Sequence, residues 1–417
     1  MEVLQAQALR AREEGDTERA ITAWRALLRH HPEDWRLALE LKRDLKAGLH
    51  YPDSDPQFRR AARSLPDAEW LAHYPALYAF HGEDLEWLDG RARELLQARP
   101  TDPRLHAIRG DVAAQRRDWA GAEAGFSAAL AAKPEQSEYA FKRETARMYL
   151  RLKPTLDEPS AAGGRGVGGE AEPSADYPVL FLNLDRNPER AAELSRQFAN
   201  SAPRLQRIPG VEGGRLTASA VRRLGADPAM RGTLGCFLSH AAAWEALVAS
   251  ADPFALIIED DVIPLLDLPP SLSAVNLPPG FDLCFLNDRI APRLDPATVS
   301  RFTIRPLREA MAAFHPEDNA PGGDGYLLSR EGARKLLQWV EADGFAEDVD
   351  WRLIAYGLSP AEIAALPRPS HCGAWLDRLQ HLVRRPDRLE ARVLHPPLIR
   401  TVGVSSDRED ENRAHAG

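Results

Sequence analysis

The stretch PFALIIEDDVIPL, residues 253–265, sets three consecutive carboxylates, Glu259, Asp260 and Asp261, between two apolar runs. Asp and Glu are poor strand residues. At roughly 6 Å and an effective dielectric near 20, each like-charged pair costs about 3 kcal/mol. Two readings stand: a solvated acidic turn, or a set of acids with something positive among them. A hard divalent cation with oxygen ligands is one such positive group. At the carboxyl end of a central parallel strand it would bridge to the diphosphate of a bound nucleotide.

The elements around the triplet are those of an α/β domain. PVLFLNL (178–184) reads as a buried strand, followed by a helix that Pro188 opens. LGCFLSHAAAWEALVAS (234–250) reads as an amphipathic helix, and FALIIE and FDLCFLN (281–287) as further strands. GYLLS (325–329) feeds the helix REGARKLLQWVEA, and AEDVDWRLIAYG is another helix. Strands alternating with helices predict a mostly parallel sheet with its ligand crevice beyond the strand carboxyl ends.

Four blocks in this region carry a resemblance to a known family: LNLDRNPER (182–190), GTLGCFLSHAAAWEAL (232–247), LIIEDDV (256–262), and GYLLSREGARKLL (325–337) with VDWRL (349–353). Together they resemble glycosyltransferase family 25, the bacterial lipooligosaccharide and collagen hydroxylysine galactosyltransferases, over about residues 177–404. The resemblance implies a GT-A type nucleotide-sugar fold, a UDP-sugar donor (often UDP-galactose), a divalent metal, Mn²⁺ or Mg²⁺, and inversion at the anomeric carbon. Asp260 and Asp261 are then the expected metal ligands, with Glu259 in support. Asn183, Arg186 and Arg190 follow the first strand, where the donor should lie, although the two arginines could equally pair with surface acids. Gly235 would permit close backbone approach, and Ser239 and His240 would face the crevice. Inversion needs a carboxylate to take the acceptor's proton. The family places an aspartate at Asp350, with Asp348 the fallback and Asp324 an outsider standing where relatives more often carry a small or neutral residue.

The front of the chain has a different grammar. Pro32, Pro66, Pro100 and Pro134 recur every 34 residues, with Trp24, Phe58 and Phe126 eight positions before three of them. Small residues recur in phase at Ala8, Ala76 and Gly110, and at Ala20 and Ala122, while Ser54 and Leu88 break the second pattern. Proline-terminated helix pairs with an aromatic filling the groove between them explain this phase. They resemble tetratricopeptide repeats, whose stack offers a concave surface for a peptide or partner, or serves as a spacer. Trp70, Tyr74, Tyr78 and Trp87 read as core. We therefore expect a tetratricopeptide-like α-solenoid over 1–151, a flexible linker over 152–177, a glycosyltransferase domain over 178–404 and a disordered tail over 405–417. The linker's GRGVGG (164–169) matches a dinucleotide fingerprint formally but lacks the strand before it and the helix after it.

Bulk properties exclude several classes. A net charge of −9 disfavours nucleic acid and anionic membrane partners. Cys236, Cys284 and Cys372 are odd in number and too scattered to support a disulfide framework or a zinc site, and they read as buried thiols. No apolar run approaches the ~18 residues of a membrane span, and MEVLQAQALRAREEGD is no secretory leader. The expected location is the cytoplasm, with peripheral attachment at the inner membrane face as an option. The sequence thus points to a metal-dependent hexosyltransferase whose acceptor is a glycolipid, a lipopolysaccharide or a protein, the repeats recruiting acceptor or partner. A catalytically inactive scaffold and a nucleotide-sugar hydrolase are the alternatives.

Overall fold

In the computed structural model, residues 2–47, 56–73, 82–157, 177–199, 204–268, 272, 277–290, 295–312, 322–366, 377, 380 and 387–401 are described. The chain divides into two compact units between Arg143 and Glu144.

Helices of the first unit come in pairs: α1 (Glu2–Glu13) with α2 (Thr17–His30), α3 (Trp35–Ala47) with α4 (Pro56–Ala62), α5 (Asp67–His73) with α6 (Gly82–Ala98), and α7 (Pro103–Gln115) with α8 (Trp119–Ala132). Each in-phase proline falls after the second helix of a pair. Asp16, Asp102 and Asp118 cap α2, α7 and α8 by accepting main-chain N–H bonds. The small-for-large exchange expected from the sequence is visible at Gly110. A Cβ there would stand 2.7 Å from the Phe126 ring. Trp24, Phe58, Trp70 and Phe126 are all buried, and Trp87 meets Trp70 edge-on at 6.0 Å between ring centroids. A buried polar anchor joins the first three helices, where Trp24 Nε1 and Arg12 both donate to Asp44. Ser54, Tyr74, Ala76 and Tyr78 lie outside the described residues. So do most of 152–177, GRGVGG within it, and the tail from 405. Helix α9 (Ser137–Asp157) crosses the division between the units. In its second half, Tyr149 is buried and donates to Pro397 O at 3.0 Å within the second unit.

The second unit is built on strands β1 (Pro178–Asn183), β2 (Arg204–Pro209), β3 (Phe254–Glu259), β5 (Leu283–Phe285), β6 (Thr303–Pro306), β7 (Gly325–Ser329) and β8 (Ala391–His395) in the order β2-β1-β3-β7-β5-β8-β6. A two-stranded antiparallel ribbon joins β4 (Val262–Pro264) to β9 (Ile399–Thr401). β1, β2 and β3 run parallel, as do β5 and β8. The expectation of a mostly parallel sheet needs one amendment: β7 runs antiparallel in the middle and β6 at the edge, so the sheet is mixed. The reason is local. β7 starts where β3 stops, Gly325 pairing with Ile258, so the chain enters this strand at the end of the sheet that β3 leaves. Alternate residues Leu180 and Leu182, Ala255 and Ile257, and Tyr326 and Leu328 face one core. Helices α12 (Arg231–Ala249), α14 (Arg330–Asp343) and α15 (Val349–Tyr356) contribute Phe237, Trp244, Leu336 and Leu353 to that core. The shorter helices α10 (Pro188–Phe198), α11 (Ala218–Arg223), α13 (Leu307–Ala312) and α16 (Pro360–Ala364) complete the layers.

Candidate functional site

The acidic triplet forms the turn between two strands. Ile258 and Val262, both fully buried, pin its ends, and Glu259 closes β3 while β4 begins at Val262. Because β7 is antiparallel, the residues entering it, Gly322, Gly323 and Asp324, stand beside the residues leaving β3; Glu259 N–H donates to Asp324 O at 3.1 Å. Asn183 ends β1 at the same edge, since Leu182 pairs with Glu259. The segment after β5, Asn287 to Arg289, reaches this edge as well. Asn287 donates to Gly322 O at 2.6 Å.

Three side chains meet here: Glu259, Asp324 and Asp350 each present a carboxylate oxygen, all within 4.8 Å of one another. Asp350 is buried on the first turn of α15, and its Oδ1 accepts from Gly323 N–H at 2.7 Å. Asp348 caps the same helix by accepting from Asp350 N–H at 2.9 Å, so its carboxylate is held as a positioning group. The approach to this cap is tight: Glu347 takes the left-handed conformation (φ 69°), at a cost of about 1–3 kcal/mol for a residue with a side chain. Arg352, fully buried, donates to Gly344 O and Ala346 O and ties α15 to the end of α14. His240, also fully buried, lies with Nδ1 2.9 Å from the Tyr326 hydroxyl and Nε2 3.4 Å from Glu259. Trp244, one turn on, donates to the same hydroxyl at 2.9 Å.

The positive group the triplet calls for is present in the chain itself. Arg289 donates to Asp324 at 3.0 Å. Burial opposes its charge, yet Asp324, Asp350, Glu259 and Asp261 together hold the guanidinium more firmly protonated than usual. One arginine does not neutralise the set. Burial raises the Asp324 carboxyl against the pull of Arg289, and Asp350 adds to the rise. Asp261 is raised well above the usual carboxylate range, first by burial and then by Glu259, Asp260 and Asp324. Its Oδ1 is buried with no hydrogen-bond partner.

Asp260 and Asp261 part company. Asp260 turns toward the end of β1, accepting from Asn183 at 2.7 Å and facing Arg190 at 3.4 Å. Asn183 is the hub of this second cluster. It accepts from Arg207 at 2.8 Å, and Arg207 also donates to Asp185 at 2.6 Å. Arg186 pairs with Glu212 at 3.5 Å. Gly235 and Ser239 bind α12 to the loop at 211–213. A Cβ on Gly235 would lie 2.5 Å from Val211 O, and the Ser239 hydroxyl accepts from Val211 N–H at 2.8 Å. Thr401, on β9, donates to Asp324.

Sequence reasoning missed Arg289, Arg207, Tyr326 and Thr401. NDR (287–289) follows a strand as EDD does, and that signal alone could have flagged Arg289. Thr401 gives none, because only the β4–β9 ribbon brings it to Asp324.

Residues 177–276 match the model of glycosyltransferase family 25, described as an LPS biosynthesis protein family. Similar curated proteins include a glycosyltransferase 25 family member of Aedes aegypti, 32% identical over 96 residues, or 20% of this chain and 16% of the relative. The inactive glycosyltransferase 25 family member 3 of Homo sapiens is 31% identical over 96 residues, with the same coverage of 20% and 16%. Procollagen galactosyltransferase 2 of Homo sapiens is 24% identical over 185 residues, 38% of this chain and 27% of the relative. The chain therefore spans roughly a sixth to a quarter of the length of these relatives. The matched model ends before Asp324, Asp348 and Asp350.

Proposed function

We propose, for a chain whose residues 177–276 carry a glycosyltransferase family 25 domain, that the second unit moves a hexose, galactose being the first candidate, from a UDP-sugar to an acceptor hydroxyl. The supporting observation is the meeting of Glu259, Asp324 and Asp350 beside the unpartnered Oδ1 of Asp261, at the end of the sheet where α/β folds bind ligands.

The residues present fit a divalent cation. Every donor is a carboxylate oxygen, the set suits a hard ion, and burial first, then neighbouring carboxylates, raise two of the acids, Asp261 and Asp324. Asp261 and Glu259, with Asp324, would hold it, and Asp260 would support Asp261 from the Asn183 side. Bound there, Mn²⁺ or Mg²⁺ would supply Lewis-acid stabilisation of the departing diphosphate. The chain's own groups do the rest. Asn183, Arg190 and Arg207 meet at the end of β1, and the forked donors of the two arginines suit phosphate oxygens; Arg186, paired with Glu212, follows the same strand. Gly235 and Ser239 keep α12 close to the loop that covers this edge. Asp350, oriented by Gly323 N–H and by the Asp348 cap, takes the proton of the attacking hydroxyl. His240, packed on Tyr326, fixes the Glu259 carboxylate.

The tetratricopeptide-like repeats of the first unit would recruit the acceptor, a glycolipid, a lipopolysaccharide or a protein. The reading places the reaction in the cytoplasm or at the inner face of a membrane. The direct test is thermal denaturation with UDP and Mn²⁺ together. The wild-type chain should be stabilised, and Asp261→Asn should lose most of that effect; equal stabilisation of both would contradict the assignment.

A catalytically inactive scaffold is the second reading, favoured by similar proteins that are named inactive. Such a chain would bind UDP with Mn²⁺ and release no UDP from any UDP-sugar.

A further inference from the structure

The chemistry of α12 is not exhausted by the transferase reading. Cys236 and His240 stand four residues apart on one face of the helix, and their Sγ and ring nitrogen lie with a Glu259 oxygen inside a 4.8 Å span. We propose that these three side chains form a binding site for a soft divalent cation, zinc being the physiological candidate. This site is distinct from the all-oxygen cluster, with which it shares Glu259.

Four properties carry the inference. The ligand set of one thiolate, one imidazole and one carboxylate is the mixture that borderline-soft ions select and that Mg²⁺ and Mn²⁺ do not. An ion about 2.0–2.3 Å from each donor sets the donors roughly 3.5 Å apart, so the 4.8 Å span would contract on binding. The far nitrogen of the ring, Nδ1, is already held 2.9 Å from the Tyr326 hydroxyl, which Trp244 also engages; an outer partner of this kind fixes the orientation of a metal-binding imidazole. An access route exists as well: Cys236 is half-buried and the Glu259 side chain is 30% exposed, while His240 forms the fully buried floor. Three protein ligands leave the fourth tetrahedral position open to water or to a substrate atom.

Binding is balanced by proton release. The thiol loses its proton to solvent, and the neutral imidazole presents Nε2 to the ion while Nδ1 carries the ring proton toward Tyr326. Affinity therefore rises with pH. Because Glu259 cannot serve both ions fully, a soft cation here and a hard cation at the oxygen cluster oppose each other.

The test uses the full-length chain and Cd²⁺ as a spectroscopic stand-in for Zn²⁺. Titration with CdCl₂ should produce the ultraviolet thiolate-to-cadmium charge-transfer absorption and saturate near one equivalent, and ZnCl₂ should displace it. Cys236→Ser should abolish the absorption, whereas Cys284→Ser should keep it. Glu259→Gln should keep the absorption at saturation but weaken Cd²⁺ binding about tenfold or more. Circular dichroism checks that each variant is folded. No absorption in the wild-type chain overturns the proposal, and so does absorption that survives Cys236→Ser. Glycosyl transfer is not part of this readout, so an inactive chain can still show the site, and an active one can lack it.

Discussion

Asp350 and Asp261 sit in one acidic cluster, and the account gives them different work. With Asp350 as the proposed base, Asp350→Asn should lower kcat by about 10²–10⁴-fold while leaving the thermal shift with UDP and Mn²⁺ close to wild type. Loss of both together would make Asp350 a ligand instead. Asp261 makes a prediction about pH. Its folded value is raised, so the folded state keeps a proton that the unfolded chain gives up. The stability linked to that proton is present at low pH and is lost as pH rises from about 4 through the raised folded value. In cation-free buffer the wild-type chain should therefore lose ground to Asp261→Asn as pH climbs toward neutrality. Denaturant midpoints across that range check it, and parallel curves would contradict it. Arg289 offers a third test. Its removal leaves Asp324, nearly fully buried, without its ion-pair partner, and breaking a buried pair costs about 3–5 kcal/mol. Arg289→Leu should show a loss of that order, and Asp324→Asn in the same chain should restore most of it.

At the level of elements, one strand direction builds the site. Had β7 run parallel to β3, Gly322 to Asp324 would lie at the far end of the sheet and Glu259 would face no second carboxylate. Gly235 marks where α12 must touch the 211–213 loop, main chain against main chain. Gly235→Ala should cost about 1–3 kcal/mol by overpacking, read as a lower melting temperature, and an unchanged melting temperature would refute the tight contact. Much of this level was legible beforehand. The 34-residue proline phase announced the helix pairs, and apolar runs broken by turns announced β1, β3, β5 and β7. The turn at Glu259–Asp261 was placed at a strand end because charge does not continue a buried strand. What was not legible depends on pairing at long range. Nothing in GGDGY says that its strand is reversed, and nothing in NDR or Thr401 says which acid they will meet. The separate environments of Asp260 and Asp261 were hidden too, because neighbouring residues in a turn point different ways.

On the scale of the whole molecule, each unit has its own core and its own candidate surface. A cleft of about 330 Å³ in the first unit is lined by His106, Arg109 and Arg116 with Gly121, Ala124 and Gly125. Asp89 engages both arginines, at 3.2 and 3.8 Å. If the repeats recruit acceptor through this cleft, whose wall also holds Asp89 and Asp118, replacing its two arginines by Arg109→Glu and Arg116→Glu should raise KM for the acceptor several-fold. UDP release to water should stay as it was. In the proposed function, the acids at the end of β3 serve cation-assisted cleavage of a UDP-sugar. The measurement that meets it most directly is UDP release by the full-length chain from a panel of UDP-sugars, with Mn²⁺ and with a chelator, using a cell lysate as the acceptor pool. The account predicts release from one sugar above the others, dependent on the cation and lost in Asp261→Asn. Release that is indifferent to chelation and to Asp261, or no release from any sugar, would contradict it.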